Sequence, residues 1–475
     1  MKWVRVLLIL ILVIVLVVCA LLMYARLEVE LPQTQAVKSS PVPETQQPSD
    51  ALETANPEDI FLANRRSEVE KSVDIIKRVL QEHIDAENFL HWLEDERFPE
   101  VFDELPKLSG ADSAEISQFL FERTGASIFV LSDFYLGLVN RAETEIYTAA
   151  GEREPDGAAV LAFGGDINLT EGADGYVMPV LRAADDLSQV LSGGLLSEMR
   201  GADVLLLNNE FAYTNSTAPL PGKMYVFRAP PENVEILAEM GCDIAYLANN
   251  HVYDFGAAGL ADTLQTLRDA GIPYIGAGMD IDEAARPVYF IAGGRKIAYI
   301  GAGCIERYTV YTPGAGEDSP GIFRADENNC ELLLELISEN SEKCDYVIVN
   351  LHWGIESTAA LEDYQRTLGR ACIDAGADAV IGSHPHVLQG AEFYNGAPII
   401  YSIGNFWFSR TNVYTCLLEL IIDDKGLSVK FLPCVTGGGV TRLAEGREAQ
   451  KIFDYYEEIS FNAHVDEAGF ISQAE

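Results

Sequence analysis

Histidine is scarce in this chain, with only seven among 475 residues. Basic residues are also few, because 33 lysines and arginines stand against 73 aspartates and glutamates and leave a net charge of −40. Nucleic-acid binding needs clustered lysine and arginine to contact phosphates, so the composition argues against a nucleic-acid partner. The eight cysteines include no Cys-x-x-Cys motif, so neither a zinc ribbon nor a redox motif is present. We expect mostly buried free thiols, with Cys330 and Cys344 as one candidate pair.

One long apolar run is present near the amino terminus, at Val6–Ala25. As a helix, this run would span the hydrocarbon core of a membrane. A cleaved signal peptide is the alternative, but the run is longer than a usual signal core and ends in a poor cleavage site. Lys2 and Arg5 precede it, so we predict a single-pass anchor within residues 1–30, with a cytoplasmic amino terminus and an extracellular main domain at the cell membrane.

Two further segments precede the main domain. Residues 31–58 carry five prolines among polar residues, which predicts a disordered linker. Residues 59–150 have helical periodicity, and Asp112 with Glu115 has the spacing of a capping box. We predict a small helical region without catalytic residues, in which His83 and His91 are solvated or half-buried.

The pattern changes at Ala158 to short apolar strands that alternate with amphipathic segments of helical length. This alternation predicts an α/β domain over residues 156–445, followed by a C-terminal tail at 446–475 that contains a solvated His464. Near the end of this domain, the segments Tyr414–Ile422 and Leu427–Leu432 predict a hairpin with a loop of about four residues. The predicted strands are Val160–Phe163, Val204–Leu207, Ile244–Leu247, Ile297–Ile300, Tyr346–Asn350, Ala379–Ile381 and Ile399–Tyr401.

Two of the seven histidines follow one of these strands, in Gly382-Ser383-His384-Pro385-His386. Histidines at i and i+2 after a strand direct two imidazoles at one point, which suits a divalent transition metal. A surface loop with two titrating histidines is the alternative.

Polar residues of the metal-ligand type follow four other predicted strands as well. Each is weak evidence alone, but five such strand ends in one domain favour an active site. They are Asp166 with Asn168, Glu210, Asn250 with His251, His352, and the pair His384 and His386.

The motifs GGDINLT, NNE, ANNHVYDFG, HWGIE, GSHPHVLQG and YSIGNFWFS resemble those of the CapA family of poly-γ-glutamate capsule synthesis proteins, within the calcineurin-like metallophosphoesterase superfamily. The resemblance covers about residues 158–445. It implies a four-layer α/β/β/α metallophosphatase-like sandwich with two divalent metal ions, Mn, Fe or Zn.

The resemblance also implies a role for each residue. Asp166 and His386 would hold the first metal, and Glu210 would bridge to a second metal held by Asn250, His352 and His384. His251 would be the general acid, while Asp254 would orient or charge its ring or, alternatively, cap a helix before Gly256.

The first motif of the superfamily usually has histidine where this chain has Asn168, and the second has aspartate where this chain has Glu210. These departures put ordinary phosphatase activity in doubt. Asn168, Asn405 and Trp407 are candidate substrate-binding residues, although the aromatic residues of the last motif could equally pack in the core or rim.

Two classes of function remain open. One is a membrane-anchored, metal-dependent hydrolase or transferase that acts on an anionic cell-surface polymer, with other capsule-synthesis membrane proteins as partners. The other is a non-catalytic capsule assembly scaffold, and a general surface phosphoesterase is a further alternative. The full ligand set favours the enzyme, whereas the net charge would repel a polyanion unless metals or a patch such as Arg228, Arg307 and Arg410 intervene.

Overall fold

The computed structural model describes residues 57–80, 84–95, 98–139, 146–149, 157–171, 175–305, 311–326 and 330–474. For residues 57–64 and 99 it describes only the backbone. The predicted anchor, nearly all of the predicted linker, His83 and Arg307 lie outside these ranges. Among the described helices, none has both the length and the apolar character that a membrane crossing requires.

The described residues from Ala63 onward form one compact unit. Its helices alternate with strands from residue 157 onward, as the sequence predicts. In chain order the helices are α1 (Pro57–Ile76), α2 (Ala86–Asp95), α3 (Pro99–Glu104), α4 (Ser113–Thr124), α5 (Ile128–Tyr135), α6 (Val177–Leu181), α7 (Gly193–Gly201), α8 (Val234–Met240), α9 (Gly256–Asp269), α10 (Ile281–Ala284), α11 (Glu331–Ser341), α12 (Asp363–Asp374) and α13 (Gly446–Glu458).

The first sheet has seven strands in the order β1-β9-β10-β12-β13-β15-β14. Four adjacent strands, β10, β12, β13 and β15, run parallel, and antiparallel pairs flank them. The strands are β1 (Ile146–Thr148), β9 (Val288–Ala292), β10 (Arg295–Cys304), β12 (Tyr346–Trp353), β13 (Ala379–Ser383), β14 (Leu388–Tyr394) and β15 (Ala397–Ile403).

The second sheet has ten strands, with the main order β20-β21-β18-β17-β2-β3-β6-β7. Strands β2, β3, β6 and β7 run parallel, β16 joins β2 in parallel, and the rest of the sheet is antiparallel. The strands are β2 (Ala159–Ile167), β3 (Val204–Asn209), β6 (Ile244–Tyr246), β7 (Tyr274–Ile275), β16 (Asn405–Trp407), β17 (Val413–Asp423), β18 (Gly426–Gly437), β19 (Val440–Leu443), β20 (Ala463–Val465) and β21 (Phe470–Gln473). Short pairs of β4 (Ala212–Tyr213) with β5 (Arg228–Ala229) and of β8 (Ala277–Gly278) with β11 (Gly321–Ile322) complete the strands.

The two sheets share one hydrophobic core. The rings of Phe163 on β2 and Tyr299 on β10 lie 6.3 Å apart between centroids. The hydroxyl of Tyr246 on β6 donates a hydrogen bond to the carbonyl of Ala302 on β10, at 2.7 Å. Helices α11 and α12 pack against the first sheet through a second apolar cluster, while buried side chains of α7, α8 and α9 join the core of the second sheet. The α/β prediction is confirmed.

The predicted helical region contains α1 to α5 and has its own hydrophobic core around Phe89 and Leu120. The capping box at Asp112 and Glu115 is present, with hydrogen bonds of 2.9 and 3.0 Å. Residues 146–148 of this region form a strand of the first sheet rather than a helix, since β1 pairs with β9. The region contacts the beginning of β10, where Lys296 Nζ lies 2.6 Å from the Asp133 carboxylate.

The segment predicted as a tail folds onto the second sheet. Buried Ile452 and Tyr456 on α13 pack into the main core, and β21 pairs with β18. His464 is exposed, as expected, and lies 3.0 Å from Glu457. The hairpin of β17 and β18 has a tighter loop than predicted, because Asp423 pairs with Gly426. Cys330 and Cys344 are free cysteines and do not form the candidate disulfide.

Candidate metal centre

The carboxyl ends of parallel strands from both sheets meet at one place. Asp166 lies near the end of β2 and His352 near the end of β12. Glu210 follows β3, Asn250 and His251 follow β6, and the pair His384 and His386 follows β13. Open α/β sheets commonly bind ligands beyond these strand ends. Asp166, Glu210 and His352 are fully buried, which brings charged and metal-binding atoms into the interior between the sheets.

Two groups of side chains at this place have the spacing of metal ligands. Glu210, His352 and His384 form one group, and Asp166, Glu210 and His386 form the other, with ligand atoms within 4.8 Å of one another in each. Glu210 belongs to both, and its Oε1 lies 3.8 Å from His352 Nε2 and 3.9 Å from His386 Nε2. The geometry therefore allows two cations that share one carboxylate.

The Glu210 carboxylate lacks the contacts that a buried acid normally has. Both of its oxygens are buried without a hydrogen-bond partner among the described residues. Burial raises the pKa of Glu210 well above its ordinary value, and the nearby Asp166 carboxylate raises it further. A buried carboxylate is costly unless it is paired or coordinates a metal, so these two free oxygens fit bound cations.

The histidines of the two groups differ in electrostatics. Burial lowers the pKa of His352 and of His384 well below the ordinary value, and neighbouring imidazoles lower both further. Neutral imidazole is the form that binds metals. Burial would also lower the pKa of His386, but the carboxylates of Glu210 and Asp166 outweigh it and raise this pKa to about 10. His386 therefore lies in the field of both acids, 2.9 Å from Asp166 Oδ2 and 3.9 Å from Glu210 Oε1.

The loop that carries the two histidines is held in an unusual backbone conformation. His384 has a φ of 97° and His386 a φ of 60°, which are rare angles for residues other than glycine. Such angles cost about 1–3 kcal/mol each and cluster at functional sites. The backbone N–H of Ser357, in the loop after β12, donates to the carbonyl of Pro385 at 2.8 Å and fixes this loop between the two sheet ends.

Asn250 lies against the first group. Its Oδ1 is 2.8 Å from His352 Nε2, and His384 Nδ1 is 3.0 Å from that same nitrogen. These three side chains therefore direct their polar atoms at a common point.

Sequence reasoning missed two asparagines that organise the strand ends. Asn208 Nδ2 donates to Asp166 Oδ1 at 2.6 Å, and Asn249 Nδ2 donates to Asn208 Oδ1 at 3.0 Å. The Asn249 side-chain oxygen Oδ1 also accepts hydrogen bonds from the backbone N–H groups of His251 and Val252, at 3.1 and 3.0 Å. The paired asparagines in NNE and ANNH were a signal, because buried amides of this kind orient metal ligands.

His251 and Asp254 form a hydrogen-bonded pair beside the two groups. His251 Nδ1 lies 2.8 Å from Asp254 Oδ2, and Asp254 is fully buried. Burial lowers the pKa of His251, while the Asp254 carboxylate acts to raise it. This contact favours the ring-orienting role of Asp254 over the helix-capping one, because it leaves His251 Nε2 available to face a substrate.

The three residues predicted to contact substrate lie in different surroundings. Asn168 Oδ1 accepts the backbone N–H of Thr170 at 2.8 Å, so this oxygen is engaged within its own loop. Asn405 Oδ1 is 2.8 Å from His386 Nδ1, which places it at the metal groups. Trp407 is fully buried and its indole N–H donates to the carbonyl of Gly439 at 2.8 Å, so the core-packing alternative describes this residue.

Phe408, the next residue, has the position that was expected of Trp407. Its ring lies 5.0 Å from that of His386 and 5.5 Å from that of Phe227. Phe227 in turn lies 4.3 Å from His251. Because Phe408 is half-buried, the two phenylalanines form a partly accessible aromatic wall between the two histidines.

Fold and site define a mixed α/β protein with a carboxylate–imidazole centre at its strand ends. Residues 160–410 match the family model described as bacterial capsule synthesis protein PGA_cap. This chain belongs to that family, which lies within the metallophosphoesterase superfamily.

Individual relatives support the same assignment. The chain is 32% identical over 268 residues to "PGA biosynthesis protein CapA" of Bacillus subtilis (strain 168), covering 54% of this chain and 64% of the relative. It is 34% identical over 214 residues to "Capsule biosynthesis protein CapA" of Bacillus anthracis, covering 42% and 49%. A "probable polyglutamine synthesis accessory protein" of Mycobacterium tuberculosis is 31% identical over 213 residues, covering 44% and 56%. The matches thus span about half to two thirds of these relatives.

One solved structure, a 5'-nucleotidase from Candida albicans SC5314, aligns with a TM-score of 0.33 and 10% identity, over 58% of this chain and 51% of that one. A similarity this low says nothing about function.

Proposed function

We propose that this protein is a metal-dependent hydrolase or transferase that acts in the synthesis, export or anchoring of a capsular polymer such as poly-γ-glutamate. One observation carries the catalytic part of this proposal. Glu210 is a fully buried carboxylate whose two oxygens have no hydrogen-bond partner among the described residues, and two clusters of metal-binding side chains share it. A scaffold protein has no need of such a costly arrangement.

The residues present fit two cations of the transition series. Asp166 and His386 would hold one, His352, His384 and the Asn250 amide oxygen would hold the other, and Glu210 would contact both. Mixed carboxylate and imidazole ligands favour Mn, Fe or Zn over Ca or Mg. Bound cations would act as Lewis acids on the bond under attack. The two sheets and their covering helices would then correspond to the four-layer sandwich of metallophosphatases.

The side chains around the cations would donate a proton, exclude water and orient a metal ligand. His251 is proposed to give a proton from Nε2 to the leaving atom, while Asp254 holds its Nδ1 and stabilises the charged ring. Phe227 and Phe408 would exclude water from one side of the site and support the substrate. Asn405 would orient His386 through its amide oxygen, at 2.8 Å.

The substrate class is proposed from the family and from the relatives named for capsule and polyglutamate synthesis. The net charge of −40 would repel such a polyanion, so a local positive field is needed. The cations would supply most of it. Among the predicted arginines, Arg410 is exposed and lies 5.7 Å from the ring of Tyr176, whereas Arg228 is half-buried and donates to the carbonyl of Thr214 at 3.2 Å.

The substrate can be tested by assaying the metal-loaded full chain on poly-γ-glutamate and on a chromogenic phosphodiester in parallel. We expect cleavage or transfer of the polymer and weak turnover of the phosphodiester, with His251→Ala inactive on both. Fast phosphodiester turnover without action on polymer would indicate a surface phosphoesterase instead. Polymer binding without turnover of either substrate would indicate an assembly scaffold.

We also propose that the Val6–Ala25 run anchors the protein in the cell membrane, with the main domain outside and capsule-synthesis membrane proteins as partners. The proposal rests on Lys2 and Arg5 before that run. A cysteine introduced at Ser49 should react with a membrane-impermeant thiol reagent on intact cells, with the unsubstituted chain as the background control. Labelling that appears only after lysis would reverse the orientation.

A further inference from the structure

A buried lysine lies behind the proposed general acid. Lys223 has only 6% of its side chain exposed, whereas the next two residues, Met224 and Tyr225, are 83% and 58% exposed. This is the reverse of the usual pattern of burial. Large apolar residues are usually buried, and lysine is almost never buried unless it is paired. The inward position of Lys223 therefore needs a cause in the site.

The Lys223 ammonium joins two residues of the ANNHVYD motif. Its Nζ contacts the Asp254 carboxylate at Oδ1 and the backbone carbonyl of Asn250. Asp254 uses its other oxygen, Oδ2, to accept from His251 Nδ1 at 2.8 Å. One ammonium thus holds the carboxylate that orients the proposed acid and the backbone of a proposed metal ligand.

The segment that carries Lys223 wraps around the same carboxylate. We call Leu220–Phe227 the strap. At its start, the backbone N–H of Leu220 donates to the carbonyl of Asp254 at 2.8 Å. At its end, the N–H of Phe227 donates to Asp254 Oδ2 at 2.6 Å, and the Phe227 ring lies 4.3 Å from that of His251. Asp254 is therefore bound from three points of the strap.

We propose that Lys223 is a positioning residue, which acts through the strap and Asp254 to fix the ring of His251 in the orientation that proton transfer requires. This inference rests on the proposed role of His251. It assigns no contact with substrate to Lys223, which lies behind Asp254. Without the Lys223 ammonium, Oδ1 of the buried Asp254 carboxylate would lack this partner, and the carboxylate could shift and move the His251 ring with it. The ammonium binds Oδ1 and thereby holds the carboxylate in place.

The chain offers a matched control for removing a buried lysine. Lys296 and Asp133 form a similar pair, with side chains 10% and 8% exposed, at the start of β10 and thus at the opposite end of the sheet from the metal groups. Lys296→Met removes a buried ammonium of the same type without touching the site. Lys223→Arg keeps the positive charge and serves if Lys223→Met does not fold, although a planar guanidinium does not reproduce the point contact of an ammonium.

The test combines kinetics with a structural readout on the full chain. We expect Lys223→Met to lower kcat on poly-γ-glutamate roughly 10- to 100-fold, which is the usual effect of removing a residue that holds a ligand or catalytic group in place. The metal content and the KM should stay close to the wild-type values. Lys296→Met should keep the wild-type kcat. In a His251→Ala background, Lys223→Met should cause little further loss, because the lysine acts through the imidazole.

Proton NMR supplies the readout that does not depend on activity. The His251 imidazole N–H signal, assigned by its loss in His251→Ala, should move or broaden in Lys223→Met and stay unchanged in Lys296→Met. An unchanged signal, or an equal loss of kcat with and without His251, would overturn the positioning role. If His251→Ala itself keeps full activity, the proposed acid is wrong, while the NMR comparison still decides whether Lys223 fixes this ring.

Discussion

His386 Nδ1 lies 2.9 Å from Asp166 Oδ2, although 220 residues separate them in the chain. The contact joins β2 of the second sheet to the loop after β13 of the first sheet. It exists because both residues stand at the carboxyl ends of parallel strands and the two sheets share one core. The remaining proposed ligands follow from the same relationship, since each lies near or beyond the carboxyl end of a strand of one of these two sheets.

Removal of the proposed acid should separate catalysis from metal binding. In His251→Ala we expect activity to fall roughly 10²- to 10⁴-fold, the usual contribution of a positioned acid or base, while metal content stays at the wild-type value. Steady-state kinetics and elemental analysis on the same preparation measure both. His464→Ala removes an exposed histidine elsewhere and is the control. Loss of metal from His251→Ala would mean that this residue is a ligand.

The two neighbouring aromatic residues of the last motif should respond differently to truncation. Trp407→Ala removes a fully buried indole and should lower the free energy of unfolding by about 3–5 kcal/mol. Phe408→Ala should lower it much less, because this ring is half-buried, and should raise KM if the aromatic wall supports the substrate. Denaturant unfolding and kinetics of the two variants distinguish these effects. A KM of Phe408→Ala equal to that of the wild type would mean that the aromatic wall does not support the substrate.

Two half-buried aspartates should make the fold more stable under mild acid. Burial raises the pKa of Asp243 and of Asp378 to about 6, above the ordinary value of 3.8. The folded state therefore binds more protons than the unfolded state between those values, so their contribution to stability rises as pH falls from about 6 toward 4. Denaturant unfolding at pH 7 and pH 5 measures the combined effect.

Asp378→Asn isolates one of these contributions. The amide oxygen can still accept the backbone N–H of Val347, which Asp378 Oδ2 accepts at 2.8 Å. We expect the gain in unfolding free energy between pH 7 and pH 5 to shrink by about 1 kcal/mol relative to the wild type. The exposed Asp282→Asn should leave that gain unchanged. An equal gain in all three proteins would exclude Asp378 as a source.

Much of this fold could be predicted because buried parallel strands are short apolar runs. Tyr346–Asn350 and Ala379–Ile381 both lie within observed strands, and the polar residues that follow them reach the site. The periodicity of apolar residues did not identify strands that are too short to show a repeating pattern. Ile146–Thr148 is a three-residue strand inside a segment predicted as helical, and residues 463–473 pair with the sheet although most of them are exposed.

The parts of the site that sequence reasoning missed depend on contacts between distant segments. Lys223 stands in a loop without periodicity, and only the folded chain shows that it turns inward to Asp254 while Met224 points outward. Trp407 and Phe408 are adjacent aromatic residues, and which of them faces His386 depends on the register of β16 beside β2. The alternation of side chains along a strand places neighbours on opposite faces, but the sequence does not say which face is the core.

Each proposed ligand should affect metal binding according to its group. His384→Ala should lower the metal content of the group that contains His352, and His386→Ala that of the group that contains Asp166. Each single variant should therefore keep part of the wild-type metal. Elemental analysis of the purified full chain measures this, with His464→Ala as the matched control. Complete loss of metal from either single variant would mean that the two groups do not bind independently.

The most direct test of the account is the metal content of Glu210→Gln beside that of the wild type. Glutamine keeps the size of the side chain and removes the charge that both groups share, so the central claim predicts a wild type that carries stoichiometric transition metal and a variant that loses it from both groups. The variant should remain folded, because the neutral amide relieves a buried carboxylate. A wild type without metal, or a folded Glu210→Gln protein with the wild-type metal content, would contradict a shared metal centre at these strand ends.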